Sequence, residues 1–313
     1  MQFPDILTMA ARRFETHVSI GGLVISLSAD DRRLVSPPPG LLHEFLIPPR
    51  PPDLDIDASW CASIEEPDGI SLFDSGGAWH LVQMSDGSLV VVCRSTLDLS
   101  GNDEPYLEAH FDPAFSTGVV RMNAKHFEDD RSRSAFLLDY PLDEVTVVHL
   151  LSRQRGVEIH GCGVRDRAGR AYVFAGQSGA GKSTLGRLWA ERRDFTVLSD
   201  ERVVMRTDGA AVTVWGTPFH GDAILASPAC GELAGIFFLN HAAAHSIVPT
   251  QGAHAVARLM SCAFLPFYDA RGVRSTLDAV EHALAAAPAH EFFFAPDMSA
   301  LEFFIDAQTM LQG

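Results

Sequence analysis

Lysine is nearly absent from this 313-residue sequence, and acidic residues outnumber basic ones. Lys125 and Lys182 are the only lysines, and 24 Lys and Arg residues face 40 Asp and Glu residues, giving a formal net charge of −16. Such a surface repels phosphate backbones and anionic lipids, so the composition argues against a general nucleic-acid or membrane-surface binder. Any anion that the protein binds must therefore be held by a local arrangement of donors.

Cysteine is also scarce, and its spacing excludes the usual frameworks. The sequence has five cysteines, an odd number. They are widely spread and form no CxxC motif, which argues against a disulfide scaffold or a zinc cluster. His241 and His245 lie four residues apart, a spacing that would place both on one helix face, but no glutamate partner or third ligand accompanies them. The sequence therefore predicts reduced, buried thiols and no zinc site.

Long apolar runs are missing as well. No uninterrupted run approaches the roughly 20 residues of a membrane-spanning helix, and the hydrophobic fraction of 47% is enough to fill a core. We therefore expect a cytoplasmic globular protein without a membrane partner.

The first part of the chain shows strand patterns. His17 to Ser28 alternates in polarity around a Gly-Gly pair, which predicts two strands joined by a turn. Further strands are predicted at Ala78 to Met84, Ser88 to Cys93 and Gly118 to Met122. Apolar residues recur at helical spacing between Leu142 and Arg153, which predicts a helix over this range. We place a domain boundary just before it, with a β-rich domain at residues 1–140 and a second domain at residues 141–313.

The second domain shows the order strand, loop, helix, strand, which is typical of an α/β unit. An apolar strand at Ala171 to Ala175 precedes a glycine-rich loop, a helix at Ser183 to Arg193 and a strand at Phe195 to Ser199. The remaining predicted elements are strands at Val157 to Ile159, Gly235 to Leu239 and Glu291 to Phe294 and helices at Ala255 to Phe264 and Thr276 to Ala287.

The glycine-rich loop satisfies the phosphate-binding pattern G-x-x-x-x-G-K-[ST], and it lies between an apolar strand and an amphipathic helix as the pattern requires. Converging backbone N–H groups and the positive end of the following helix would hold the phosphates of ATP. Lys182 would contact the β- and γ-phosphates, and Ser183 would contribute its hydroxyl to Mg²⁺. The other interpretation is a turn that merely joins a strand to a helix. The predicted nucleotide-binding residues are Gly176, Gln177, Ser178, Gly179, Ala180, Gly181, Lys182, Ser183 and Thr184.

Two acids follow the next strand. Asp200 and Glu201 come directly after Phe195 to Ser199, so they are predicted to lie at the carboxyl end of a strand adjacent to the phosphate loop. One carboxylate can hold Mg²⁺ beside Ser183, and the other can accept a proton from an attacking hydroxyl. Taken alone, an Asp-Glu pair is more often a solvated strand end.

These residues resemble the nucleotide domain of HPr serine kinase/phosphorylases, a family that shares its fold with phosphoenolpyruvate carboxykinases. The resemblance covers His160-Gly161, the loop from Gly176 to Ser183, and Asp200-Glu201-Arg202-Val203, where the family has Asp-Asp-Arg-Val. It implies an α/β fold with a P-loop nucleotide domain and a β-rich N-terminal domain. It also implies ATP-dependent phosphorylation of a serine hydroxyl on a small protein, and a homo-oligomer.

The resemblance also implies roles for single residues. Asp200 would be the catalytic base, His160 would orient it or modulate its charge, and Arg202 would tie the acid strand to its surroundings. Taken alone, His160 is more often a structural residue.

The sequence departs from the family at two places. Glu201 replaces an aspartate, which lengthens the arm of a metal ligand. The glycine-rich stretch linked to the phosphorylase reaction has no counterpart in Ala226 to Leu239, so neither that activity nor HPr as the substrate is expected. Trp215 to Gly221, in contrast, resembles a segment common in HPr-kinase-like proteins. It is either a substrate or nucleotide loop or a Gly-Pro turn with an aromatic anchor.

The function predicted from the sequence is transfer of the γ-phosphoryl group of ATP to a Ser or Thr hydroxyl of a protein or peptide. Lys182, Asp200 and His160 would be catalytic, and Ser183, Glu201 and Asp200 would hold Mg²⁺. The alternatives are a non-catalytic nucleotide-sensing regulator and a small-molecule phosphotransferase.

Overall fold

The computed structural model describes residues 13–94, 104–128 and 134–311. Within these ranges the chain forms seventeen strands and seven α-helices. The strands of the first half are β1 Phe14–Ile20, β2 Leu23–Ala29, β3 Leu46–Ile47, β4 Leu54–Cys61, β5 Ile70–Asp74, β6 Trp79–Gln83, β7 Leu89–Cys93, β8 Leu107–Phe111 and β9 Thr117–Asn123. Those of the second half are β10 Gly156–Asp166, β11 Arg170–Ala175, β12 Phe195–Ser199, β13 Arg202–Asp208, β14 Ala211–Gly216, β15 Cys230–His241, β16 Ser246–Thr250 and β17 Ala289–Phe294. The helices are α1 Arg32–Val35, α2 Lys125–Glu128, α3 Leu142–Arg153, α4 Lys182–Ala190, α5 Gly252–Met260, α6 Ala270–Ala286 and α7 Met298–Leu311.

The contacts of the chain divide it into two compact units. The described residues of 1–18, 24–39 and 46–143 belong to the first unit, and those of 19–23, 40–45 and 144–313 belong to the second. No helix of the described residues has both the length and the apolar character needed to cross a membrane.

The first unit is built on a nine-stranded sheet with the order β3-β1-β2-β4-β9-β8-β7-β6-β5. Strand β4 shows why the sheet forms, because its residues alternate with a period of two. Leu54, Ile56 and Ala58 are buried, while Asp55 and Asp57 between them are exposed. This pattern gives one apolar face and one solvated face.

The second unit is built on an eight-stranded mixed sheet. Its order is β11-β10-β13-β14-β15-β17-β16, β12 pairs with β10, and β15 also pairs with β11. The last pairing closes β10, β11, β13, β14 and β15 into a hydrogen-bonded ring. One side of the sheet packs against α5 and α6 through residues such as Leu259 and Val280. The other side packs against α4 and α7 through Leu185, Trp189 and Phe304.

The predicted α/β fold class with a P-loop nucleotide domain is wrong. Strands account for 40% of the part of the chain that the structure describes and helices for 25%, and both large sheets are mixed. The prediction assumed that β12 lies beside β11. Instead β10 lies between them and runs antiparallel to both, and β13 and β14 form a further antiparallel hairpin with a two-residue turn at 209–210.

Candidate functional site

The second unit contains a polar cavity of about 340 Å³ at the start of α4. Four segments of chain surround it: the middle of β10, the glycine-rich loop with the first turns of α4, the residues directly after β12, and the segment that follows β14. The cavity is lined by His160, Ser178, Gly179, Gly181, Lys182, Ser183, Thr184, Arg187, Asp200, Glu201, Gly221 and Asp222.

The loop between β11 and α4 depends on glycine at two positions. Gly179 and Gly181 have φ angles of 81° and 94°, in the left-handed region that side chains other than glycine rarely adopt. A Cβ atom on Gly181 would also lie 3.2 Å from Phe294 and 3.3 Å from the His241 ring. Gly181 caps α4 without a side-chain hydrogen bond to the helix, so the first backbone N–H groups of α4 are not satisfied by a side-chain cap.

The other predicted loop residues support this conformation. Gln177 accepts a hydrogen bond from the backbone N–H of Ala180 at 3.1 Å. A Cβ atom on Gly176 would lie 2.7 Å from the Cβ of Ala180. The backbone N–H of Gly176 donates to the carbonyl of His160 at 3.2 Å, which ties the loop to β10.

Lys182 is a buried cation at the floor of the cavity. Its side chain is 6% exposed, and Nζ donates a hydrogen bond to the carbonyl of Gln177 at 2.9 Å. Burial lowers the pKa of Lys182 from its usual value, and the nearby Glu201 carboxylate acts in the opposite direction. A phosphate group in the cavity would offer this ammonium a stronger acceptor than the loop carbonyl.

Asp200 is fully buried and holds the segment after β14 in place. Its Oδ1 accepts from the backbone N–H groups of Gly221 and Leu225 at 3.1 and 3.2 Å, and its Oδ2 accepts from Ala223 at 3.1 Å. Gly186 on α4 allows this carboxylate to approach the helix, because a Cβ atom there would lie 2.9 Å from the Cβ of Asp200. Both oxygens of Asp200 are therefore engaged by backbone donors.

Three oxygen atoms converge beside Gly221. A Cβ atom built on this glycine would lie 2.7 Å from Ser183 Oγ, 2.8 Å from Asp200 Oδ2 and 3.0 Å from Glu201 Oε2. Glycine leaves this point open, and a hydroxyl with two carboxylates is a ligand set that suits Mg²⁺. In the part of the chain that the structure describes, no group of three His, Cys, Asp or Glu side chains could hold a metal. A cation beside Gly221 would therefore need further ligands, such as phosphate oxygens and water.

His160 lies opposite Arg202 in the β10–β13 ladder, which brings it to the cavity. Its ring makes an edge contact with Phe264, with centroids 6.3 Å apart. Burial lowers the pKa of His160 to about 4, with further contributions from the positive charges of Lys182 and Arg202. The imidazole is therefore neutral at pH 7, and one ring nitrogen is free of a proton.

Arg202 links the acid pair to the rest of the second unit. Its guanidinium lies 4.4 Å from the ring centroid of Phe264 and 5.2 Å from that of Phe219, within the range of cation–π contacts. It also pairs with Glu144 at 2.9 Å and lies 3.9 Å from Glu158. These contacts fix the backbone directly after Asp200 and Glu201.

Sequence reasoning missed three contributors to this site. Arg187 lines the cavity and donates to the carbonyl of Asp222 at 2.8 Å. Its place on α4, five residues after Lys182, was the available signal. Gly221 ends the segment that begins at Trp215, for which the sequence favoured a substrate or nucleotide loop and a simple turn equally.

The third missed residue is His241, whose ring nitrogen lies 3.1 Å from the carbonyl of Gly179. His241 and His245 do not lie on one helix face, because β15 ends at His241 and a bend at 243–244 leads to β16.

Neither a protein-family model nor a curated protein sequence matches the chain. The functional argument therefore depends on the geometry of this cavity and on the motifs that it contains.

Proposed function

We propose that the protein is an ATP-dependent phosphotransferase that moves the γ-phosphoryl group of magnesium-bound ATP to a Ser or Thr hydroxyl of a protein or peptide. One observation carries the proposal: Ser183, Asp200 and Glu201 direct oxygen atoms to a common point beside Gly221. The same cavity contains Lys182 and the start of α4. The resemblance of these residues to the motifs of HPr serine kinases supports the same reaction class.

The chain would bind the nucleotide through the glycine-rich loop, the positive charge of Lys182 and the negative charges of Asp200 and Glu201. The N–H groups at the start of α4 and Lys182 would neutralise the phosphates. Ser183, Glu201 and Asp200 would hold Mg²⁺, which when bound would offset the charge on the phosphate oxygens. Phosphoryl transfer needs positioning and charge stabilisation more than covalent chemistry, and the residues that line the cavity would supply both.

Proton removal from the acceptor hydroxyl is the second task. Asp200 is the proposed base, and His160, which lines the same cavity and is neutral at pH 7, would orient it or modulate its charge. Three backbone N–H groups already donate to Asp200, and a carboxylate has about four lone-pair positions, so one remains for the acceptor hydroxyl. Uptake of the hydroxyl proton would weaken the three backbone bonds, so the segment from Gly221 to Leu225 would respond to the reaction.

The two lysines provide a matched test of the proposal. Lys182→Ala removes a buried cation from the cavity, and Lys125→Ala removes an exposed lysine paired with Glu104. We expect calorimetry to detect MgATP binding to the wild type and to Lys125→Ala, and at least tenfold weaker binding to Lys182→Ala. Transfer of label from γ-labelled ATP to a serine and threonine peptide library should follow the same order. Absence of MgATP binding to the wild-type protein would contradict the proposal.

A nucleotide sensor without catalytic activity is the second candidate, and the engagement of Asp200 favours it. A carboxylate that already accepts three backbone bonds can report nucleotide binding to the Gly221–Leu225 segment without accepting a proton. Asp200→Asn separates the two functions. In a kinase the variant should lose turnover by at least 100-fold, well beyond any loss of MgATP affinity, whereas a sensor shows no turnover that the change could remove.

A further inference from the structure

Helix α4 brings a second cation to the cavity besides Lys182. Arg187 lines the cavity, and it follows Ser183 by four residues and Thr184 by three on the same helix. Residues at these spacings are neighbours on one helix face. Long side chains on a helix lean toward its N-terminus, so Arg187 and Ser183 reach the same cavity from successive turns of α4.

One hydrogen bond shows where the guanidinium of Arg187 lies. A terminal nitrogen donates to the carbonyl of Asp222 at 2.8 Å, and Asp222 directly follows Gly221. Standard backbone dimensions then place this nitrogen within about 9 Å of the Cα atom of Gly221, beside which the three oxygen atoms of the proposed cation position converge. The phosphates that the cation contacts would therefore lie within reach of Arg187.

Arg187 has donors left for a ligand. A guanidinium carries five N–H donors, and within the described ranges Arg187 makes one hydrogen bond, to the uncharged carbonyl of Asp222. A phosphate oxygen is a stronger acceptor for this group than a carbonyl. Arg202, in contrast, pairs with Glu144 and packs against two aromatic rings. Arg187 is therefore available to a bound phosphate, whereas Arg202 is committed to contacts within the protein.

The charges that line the cavity leave a task for Arg187. Three carboxylates line it, those of Asp200, Glu201 and Asp222, and Lys182 and Arg187 supply the positive charges among the lining side chains. Lys182 is buried, whereas Arg187 is exposed. A phosphoryl group in transfer spreads negative charge over three oxygens, and a planar guanidinium can donate to two of them at once.

We propose that Arg187 is a catalytic residue that contacts the γ-phosphoryl group during transfer and offsets the negative charge of its oxygens. This inference rests on the proposed phosphotransferase function. In the transfer, the acceptor oxygen forms a bond to the γ-phosphorus, and the bond from this phosphorus to the bridging oxygen of ADP breaks. The electron pair of the broken bond stays on ADP, and the hydroxyl proton passes to Asp200. Arg187 gives up no proton, since a guanidinium stays protonated in proteins.

Calorimetry with MgADP and fluoroaluminate, a mimic of the phosphoryl group in transfer, tests this role separately from nucleotide binding. We expect the wild type to bind MgADP more tightly when fluoroaluminate is present. Arg187→Ala should lose at least about tenfold of that gain and bind MgADP alone within about twofold of the wild type. Arg187→Lys keeps the charge without the planar pair of donors, so it should recover only part of the gain. Turnover with γ-labelled ATP and the peptide library should fall at least about 100-fold in Arg187→Ala, without a matching rise in the KM for ATP.

Arg192→Ala is the matched control, because Arg192 follows the end of α4, pairs with Asp194 at 2.9 Å and does not line the cavity. It should behave as the wild type does. An arginine that only holds the segment after β14 would, when replaced by alanine, weaken MgADP binding equally with and without fluoroaluminate. That result, or an unchanged gain in Arg187→Ala, would overturn the role of Arg187 alone. Absence of MgADP and MgATP binding to the wild type would overturn the proposed function as well.

Discussion

Gly221 shows how a single residue can determine whether a cation fits the site. Its φ angle is not in the left-handed region, so alanine is compatible with the backbone. The obstacle is the side chain, since a Cβ atom would lie within 3.0 Å of three polar oxygens. The methyl group would occupy the point on which these oxygens converge.

We therefore expect Gly221→Ala to weaken MgATP binding by about tenfold or more, which corresponds to at least about 1.4 kcal/mol. Binding of ATP in the presence of a chelator should change less, because the loop and Lys182 are not altered. Calorimetric titrations with and without Mg²⁺ measure both quantities. Gly252→Ala is the control, since it has open space around it and a φ angle of 63°, so it costs stability without touching the cavity. Equal magnesium dependence in the wild type and Gly221→Ala would exclude the proposed cation position.

Helix α4 is the element that connects the core of the second unit to the cavity. It begins at Lys182 with the proposed phosphate-binding turn, and it is anchored at its other end by Trp189, which is fully buried. The Trp189 ring packs against Phe195, Phe174 and Phe304, with centroids 4.4, 5.9 and 5.6 Å away. In the described part of the chain, its Nε1 has no hydrogen-bond partner.

These contacts predict different costs for two substitutions of Trp189. Trp189→Ala should lower the free energy of unfolding by about 3–5 kcal/mol, because it leaves a large cavity in the core. Trp189→Phe should cost less than about 1.5 kcal/mol, since the loss of volume is partly offset by removal of a buried N–H group without a partner. Urea unfolding at pH 7 measures both values. Similar losses in the two variants would show that the empty space left in the core by Trp189→Ala does not cause the loss of stability.

Elements with a strong local pattern were predictable from the sequence. Helix α3 and strand β12 have the predicted bounds. The strand before the phosphate loop and the helix after it lie within one to three residues of the predictions. Apolar periodicity and the glycine-rich motif are local signals, and they identify each element without knowledge of its neighbours.

Pairing between distant strands was not predictable in the same way. Strand β10 was expected only at Val157 to Ile159, but it extends to Asp166 and pairs with three other strands. The β13–β14 hairpin has a local signal, a glycine with a φ angle of 63° at the first position of its two-residue turn, Gly209, between two runs of alternating apolar residues. Recognition of these strands would have prevented the α/β assignment.

The same distinction applies to the site. The loop residues and the acid pair were found because they lie in motifs. The backbone donors of Gly221, Ala223 and Leu225 have no such signal, since any residue except proline supplies a backbone N–H.

At the scale of the whole molecule, the two units differ in the groups that respond to acid. In the second unit, burial lowers the pKa of both His149 and His160 to about 4. In the first unit, hydrogen bonds led by that from Arg33 lower the pKa of Asp31 to about 2. Because these pKa values differ, a buried neutral histidine and a paired carboxylate lower the stability of the fold in different ranges of falling pH.

The sign for the histidines follows from proton binding. Between pH 6.5 and about 4 the unfolded chain binds protons at His149 and His160 that the folded chain does not, so stability falls as the pH falls through this window. For His149, which is buried, the difference between a pKa of 6.5 in the unfolded chain and about 4 in the folded chain corresponds to about 2 kcal/mol of stability lost at pH 5. The stability that Asp31 contributes is lost only as the pH falls below about 3.9, the pKa of an aspartate in the unfolded chain.

The second unit should therefore lose stability at milder acidity than the first. Hydrogen exchange followed by mass spectrometry at pH 7 and pH 5, corrected for the intrinsic exchange rates, should show a greater loss of protection in β10 and α3 than in β4 and β9. His149→Gln keeps a polar group of similar size without a charge to gain, so it should reduce the difference between the two pH values. The pH window separates this effect from the titration of Asp31, whose pKa of about 2 lies well below pH 5. Equal losses in both units at pH 5, or no change in His149→Gln, would show that the buried histidines do not set the acid response.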